Sequence, residues 1–254
     1  MDRLKDKVAI VTGATAGMGR AIAKLFAQEG ACVSLIARRE NKLQELVDEI
    51  EADGGKAIYV VGDVSVQENI DELVKKTVDT FGKIDICVNN AGVPDPLTPV
   101  ADVDDELWNK VLDVNLTAIM KMMRAVIPEM DKNGGGSLVT VASVGGITGT
   151  VAGASYVASK HAAIGLAKNT GFLYQNHNIR SNVIAPGMVN TDMAATVDPA
   201  QCHPEGFELI SKQMALTPRF GESEEIAQVA LFLASDESSI VNGTVIRADC
   251  GWRS

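Results

Sequence analysis

Short apolar runs rich in Val and Ile alternate along the chain with longer stretches whose apolar residues recur every three or four positions. The short runs predict strands and the longer ones helices. KVAIVT (7–12) reads as the first strand, GATAGMG as a tight turn and RAIAKLFAQEG as the helix after it. Further strands are predicted at 31–37, 56–64, 83–92, 137–143, 178–187 and 244–249. Between them lie helical stretches ending at Gly54–Gly55, at 66–81, from about 104 to 130, and at 154–175 and 224–235. Ser65 with Glu68 has the spacing of a capping box, and Ser223 is placed to cap the last helix. Strands that alternate with helices imply a parallel, doubly wound seven-stranded sheet with helices on both faces. One domain over residues 1–254 is expected. The stretch 188–221 shows neither period and reads as irregular. Its apolar members are Met193, Val197, Phe207, Leu209, Ile210, Met214 and Leu216. A loop of that length suggests a substrate lid.

Composition narrows the classes. Of 254 residues, 46% are apolar, enough for a large core. A net charge of −10 argues against nucleic acid or an anionic membrane as partner. Cys32, Cys87, Cys202 and Cys250 are scattered without metal-ligand spacing, so no metal site and a reducing cytoplasm are expected. The amino-terminal apolar run is too short for a signal peptide, and no stretch is long enough to span a bilayer.

Candidate chemistry gathers at the predicted carboxyl ends of the strands. Gly13, Gly17 and Gly19 stand between a strand and a helix. Such a turn lets backbone approach a pyrophosphate at the helix N-terminus, and it also serves simple tight packing. At the end of the second strand, Ala37 is followed by Arg38 and Arg39 rather than an acidic residue. Two guanidinium groups suit a 2′-phosphate and favour NADP(H) over NAD(H); otherwise they merely begin a helix. Asp63, with Val64 beside it, ends the third strand where an adenine amino group could be met. Asn89, Asn90, Ala91 and Gly92 either line a nicotinamide ribose or turn the chain. Asn115 is a satisfied core amide or part of a polar relay. Tyr156 and Lys160, four apart, share one helix face. An ammonium there would lower the phenol pKa toward neutrality and fit it for acid–base work, although many such pairs are only solvated surface. Ser143, at the end of the fifth strand, could hold a substrate oxygen against the phenol.

Taken together, Thr12-Gly13-x-x-x-Gly17-x-Gly19, Asn89-Asn90-Ala91-Gly92, Asn115, Ser143, Tyr156-x-x-x-Lys160 and Pro186-Gly187 resemble the short-chain dehydrogenase/reductase family over nearly the whole chain. The resemblance implies a Rossmann fold and an NAD(P)-dependent oxidoreductase. It makes Tyr156 the general acid/base, with Lys160 lowering its pKa and binding the nicotinamide ribose. Ser143 would position the substrate oxygen, and Asn115 would anchor a relay water. The cofactor would be held by the glycine turn with Thr15 and Met18, by Arg38 and Arg39, by Asp63 and Val64 at adenine, and by Asn89, Ala91 and Gly92. Pro186, Gly187, Val189 and Thr191 would lie at the nicotinamide and its carboxamide. Two positions depart from the pattern. Ala16 stands where NADP-using relatives often carry a basic residue, and Ala142 where a serine is common.

For substrate, the small, apolar segment 144–153 and the methionine-bearing 188–220 stretch favour a bulky apolar ketone or secondary alcohol, such as a hydroxysteroid or bile acid. The alternatives are a 3-oxoacyl-(acyl-carrier-protein) reductase, for which Lys121, Arg124 and Lys132 would form the docking patch, and a non-catalytic cofactor-binding sensor. The resemblance also implies a homotetramer, or a homodimer. The small residues of 154–175 would allow close helix packing between subunits.

Overall fold

In the computed structural model, residues 2–192 and 198–253 are described; Met193 and Val197 of the expected lid lie outside them. The strands are β1 (Val8–Thr12), β2 (Cys32–Ala37), β3 (Lys56–Val61), β4 (Ile86–Asn89), β5 (Gly136–Val141), β6 (Ile179–Pro186) and β7 (Val245–Ala248). All pairings are parallel, in the order β3-β2-β1-β4-β5-β6-β7. The chain winds outward from β1 to β3, then returns to the other side of β1 with β4. That reversal opens a crevice at the carboxyl ends of β1 and β4.

Strand alternation sends neighbouring residues to opposite faces. Ala9 and Val11 pack into one layer and Ile10 into the other, and Ile86 and Val88 likewise oppose Cys87. Both faces are covered, which is why all five residues of β1 are buried. The first layer holds α1 (Gly17–Gln28), α2 (Glu40–Ala52) and the late helix Ser223–Ala234. α1 buries Ile22, Ala23, Phe26 and Ala27, a helical stripe. Burying a side chain the size of Phe26 contributes roughly 1.5–3 kcal/mol. The second layer holds α3 (Gln67–Phe81), α5 (Ala118–Lys132) and α6 (Ala154–Leu173), with α4 (Asp105–Leu112) packed on α6.

Three local expectations are corrected. The long helix from 104 to 130 is interrupted: a π turn spans Asp113–Thr117, with the Ala118 N–H donating to Asp113 O five residues back. The described part of the 188–221 stretch is not wholly irregular. It contains α7 (Pro204–Met214), entered through Pro204 in its first turn and capped by the His203 ring, which accepts from the Gly206 N–H. Neither predicted serine cap forms. Ser65 Oγ turns back to Asp63 Oδ1 at 2.7 Å. Glu222, not Ser223, caps the late helix (α8), in a reciprocal box with Glu225.

A small apolar cluster of Leu97, Cys202 and Ile210, with Phe207 and Met214 against it, fixes α7 to the loop after β4. The end of the chain closes on the same helix. The Trp252 indole N–H donates to Gln213 O at 2.9 Å, and Arg253 Nη1 to Gln213 Oε1 at 3.0 Å.

Candidate active site

The cleft at the β1/β4 reversal has a volume of about 450 Å³. Its floor is the turn between β1 and α1. Gly13 (φ +65°) and Gly17 (φ +49°) adopt left-handed backbone that disfavours any side chain. A Cβ on Gly13 would also stand 2.9 Å from Ala91 Cα. Gly19 lies behind the turn rather than in the cleft; a Cβ there would drive into Gly13 O and the Asn90 amide. The first turn of α1 has no side-chain cap and no acidic residue. Its N–H groups therefore face the cleft with a positive dipole end and suit an anion.

β1 is clamped to the end of β4 by Thr12, whose Oγ1 accepts from the Asn90 N–H (2.9 Å) and the Ala91 N–H (3.0 Å). Asn90 Nδ2 donates back to Thr12 O (3.0 Å) and Gly13 O (3.3 Å), so it fixes the glycine turn.

Gly13, Thr15, Gly17, Met18, Arg38, Arg39, Asp63, Val64, Ala91, Gly92 and Thr191 all line the cleft. Arg39 Nη2 donates to Thr15 Oγ1 at 3.0 Å, and Arg38 Nη1 stands 4.0 Å from Asp63 Oδ2. Burial works to raise the Asp63 pKa, but bonds from the Ser65 N–H and hydroxyl and the Arg38 charge outweigh it, and the carboxyl is held below its usual value. Asn89 is placed differently: it is buried, with Oδ1 3.9 Å from Cys87 Sγ. Its neighbour Asn90 reaches the cleft instead. Also lining it, and not singled out from the sequence, are Ile36, Gly62, Val93, Pro94, Val114 and Asp192. Strand alternation was the one signal that could have separated Asn90 from Asn89.

Three of the four residues expected to do chemistry, Ser143, Tyr156 and Lys160, converge past the carboxyl end of β5. Ser143 follows β5 and caps a short turn, its Oγ accepting from the Gly145 N–H at 3.0 Å. A Cβ on Gly145 would sit 3.4 Å from Ser143 Oγ and 3.3 Å from Tyr156 Cε1, so only glycine leaves hydroxyl and ring this close without displacement. Tyr156 lies on the third residue of α6, half-buried. Lys160, one turn on, is 3% exposed; its Nζ is 5.5 Å from the Tyr156 ring centre and donates to Val141 O at 3.4 Å.

Burial raises the phenol pKa; the Ser143 hydroxyl, hydrogen-bonding to it, works the other way, and the Asp95 charge adds to the rise. Burial also pushes Lys160 down to about 8. The expectation of a phenol made acidic by its lysine is thus corrected for the free protein: desolvation of the ring is the largest influence and holds the phenol above its ordinary value.

Asn115 sits in the π turn, fully buried. Its Oδ1 accepts from the Val93 N–H (2.8 Å) and its Nδ2 donates to Val93 O (3.0 Å) and Ser159 Oγ (3.3 Å). The side-chain amide is therefore committed to holding the loop after β4 against α6. Pro186 ends β6, and Gly187 approaches Asp249 so closely that a Cβ would stand 2.8 Å from its Cβ. The Val189 side chain packs in the core, and its backbone bridges Gly221.

A crevice at the strand reversal, a bare helix end over a glycine turn, and a phenol–amine pair past the end of the adjacent strand β5 define a dinucleotide-dependent oxidoreductase. Comparison with known proteins agrees. Residues 7–201 match the family described as short chain dehydrogenase. The chain is 41% identical to a 3-oxoacyl-(acyl-carrier-protein) reductase of Thermotoga maritima, over 98% of both chains. It is 36% identical to 3beta-hydroxysteroid dehydrogenase 2 of Eggerthella lenta, over 98% of this chain and 95% of that one. Among solved structures it superposes with a TM-score of 0.89 on a 7 alpha-hydroxysteroid dehydrogenase complexed with NADH and 7-oxo glycochenodeoxycholic acid, at 35% identity over 98% and 95% of the two chains. The chain belongs to the short-chain dehydrogenase/reductase family and is an NAD(P)-dependent oxidoreductase acting on alcohols and ketones. Among the described residues, no helix is long and apolar enough to cross a membrane.

Proposed function

We propose that this enzyme interconverts a secondary alcohol and a ketone on a bulky apolar skeleton, a hydroxysteroid or bile acid, and that it uses NADP(H). The observation that supports the reaction is the convergence of Ser143, Tyr156 and Lys160 past the carboxyl end of β5, the strand next to β4, whose end borders the cleft. When bound, the nicotinamide supplies or accepts the hydride. The chain's own part is orientation and proton transfer. Ser143 Oγ holds the substrate oxygen toward Tyr156, whose phenol gives that oxygen a proton as a ketone is reduced and takes it back in the reverse direction. Lys160, largely protonated at neutral pH with its pKa near 8, stabilises the phenolate left behind. The first turn of α1 with Gly13, Thr15, Gly17 and Met18 takes the pyrophosphate, and Asp63 with Val64 takes adenine. Asn90 rather than Asn89 stands at the ribose edge with Ala91 and Gly92. Arg38, three-quarters exposed at the cleft rim, takes the 2′-phosphate with Arg39. Thr191, Pro186, Gly187 and the Val189 backbone flank the nicotinamide end.

For the substrate, the supporting features are apolar. Ile147, Leu209, Leu216 and Phe220 are exposed on the turn after β5 and on the segment around α7, which serves as the lid. Two relatives act on hydroxysteroids by name. The acyl-carrier-protein reading has a relative of similar identity. Its docking cations are already engaged, however: Lys121 Nζ donates to Ser65 O, Arg124 to Gln67 and Lys132 to Glu129. The enzyme is cytoplasmic and a homotetramer in this reading.

A panel of steroid ketones and 3-oxoacyl thioesters, followed by loss of NADPH absorbance, tests the proposal. Steroid ketones are expected to show the higher kcat/KM; the opposite ranking transfers the assignment to the acyl substrate.

A further inference from the structure

Asp95 is an acidic side chain only 4% exposed in the loop after β4, and neither the catalytic set nor the cleft uses it. Its two oxygens accept four hydrogen bonds. Oδ1 takes the N–H groups of Leu97 (3.1 Å) and Gly153 (3.0 Å). Oδ2 takes Ser155 Oγ (3.0 Å) and the Tyr156 N–H (3.1 Å). Three of the four donors belong to the start of α6. Gly153, the N-cap residue of α6, offers no side chain for the purpose, so a carboxylate from a segment some sixty residues earlier closes the end of the helix. Thr98 O joins it by accepting from the Ala154 N–H at 2.9 Å.

The fit is close on both sides. A Cβ on Gly153 would stand 2.5 Å from Asp95 Oδ2 and 2.5 Å from the Thr98 nitrogen. The same loop carries Leu97 into the cluster with Cys202 and Ile210, and Pro96 O accepts from the His203 N–H at 2.8 Å. Residues 95–98 thereby tie α7 to the residue that bears the phenol.

We propose that Asp95 is the positioning residue for Tyr156: its buried carboxylate fixes the backbone of that tyrosine from across the sheet edge. The inference rests on the reading of Tyr156 as the acid/base. Charge-assisted bonds to a helix N-terminus are among the stronger ones available to a carboxylate. The charged and hydrogen-bonding groups facing the phenol are Lys160 from α6, Asp95 from the loop and the Ser143 hydroxyl from the end of β5. Of these, Asp95 alone adds negative charge. Its removal therefore both loosens the tyrosine and favours the phenolate.

The test is Asp95→Asn in the full-length enzyme saturated with NADP⁺. The amide is the same size but keeps a single acceptor oxygen, so its NH₂ opposes either the Leu97 and Gly153 N–H groups or Ser155 Oγ and the Tyr156 N–H, and the charge is gone. Tyrosines labelled at Cζ are titrated by NMR; Tyr156 is distinguished from Tyr59 and Tyr174 by its absence from Tyr156→Phe. The Tyr156 midpoint is expected to fall by at least about half a unit, and kcat with a steroid ketone to fall by about tenfold or more. The KM for NADPH should stay within about twofold, because Asp95 lies outside the cleft. Gly153→Ala, which displaces the carboxylate without removing it, should lower the midpoint in the same sense and stands in if the first variant does not fold. An unmoved midpoint in both variants overturns the proposal. Should Tyr156→Phe itself retain turnover, the acid/base reading fails instead, whatever Asp95 does.

Discussion

Replacing Gly19 with Ala sets two effects of opposite sign against each other. Gly19 is the third residue of α1 and carries ordinary helical backbone. Propensity alone would make alanine better there by up to about 1 kcal/mol. The new Cβ, however, would stand 2.9 Å from Gly13 C and penetrate well inside contact distance of Gly13 O and Asn90 Nδ2. Relief requires Asn90 to withdraw. Its Nδ2 holds Thr12 O and Gly13 O, and each of those two bonds is worth about 1 kcal/mol. Overpacking against a backbone that cannot yield adds roughly 1–3 kcal/mol. The net expectation is a loss of about 2–4 kcal/mol by urea unfolding, with a melting point lower by roughly 2–4 °C per kcal/mol. Because the turn that must move is the cleft floor, the cofactor Kd should rise by about tenfold or more, a change of about 1.4 kcal/mol. A variant as stable as the parent, or one with unchanged cofactor affinity, would refute the claim that the Gly13–Asn90–Gly19 contact sets the shape of the turn.

Arg38→Asp should move the NADPH/NADH ratio of kcat/KM toward NADH by about tenfold or more, read from initial rates with each cofactor; an unchanged ratio would remove Arg38 from the 2′-phosphate. Lys160→Met should abolish turnover yet stabilise the fold. Burial holds the folded lysine near 8, against an ordinary value of 10.5. The unfolded chain therefore binds more protons between those pH values, and folding is penalised fully below about pH 8 and progressively less above it. The variant's advantage, about 1–3 kcal/mol at pH 7, should shrink from pH 8 to 10 in denaturant titrations; a gain independent of pH would show that the penalty is not one of charge.

The layered sheet was readable because each strand run was short, β-branched and bounded by glycine or a polar turn, and each helix kept a 3.6-residue stripe. What escaped was local chemistry decided by distant partners. Pro204 and Gly206 look like helix breakers, yet proline is tolerated in a first turn where its missing N–H is no loss. Nothing in VLDVNLTAIM marks the π turn, since its apolar spacing continues through it. Ser65 lost its cap to Asp63, a competitor two residues away. Adjacent amides at 89 and 90 look alike in sequence and point to opposite environments. The one-turn spacing of Tyr156 and Lys160 could be read from sequence, but the burial that raises the phenol could not. Asp95 was invisible for the same reason: its partners on α6 lie 58 to 61 residues away.

The docking of Trp252 and Arg253 onto Gln213 has a practical side. Through that pair residues 252 and 253 brace α7 at its last turn. An affinity handle attached beside that pair would pull on α7, the helix proposed above as the lid, and a kinetic defect seen with it would belong to the handle. Arg3, held by Glu237 and not by α7, marks the safer place for an attachment.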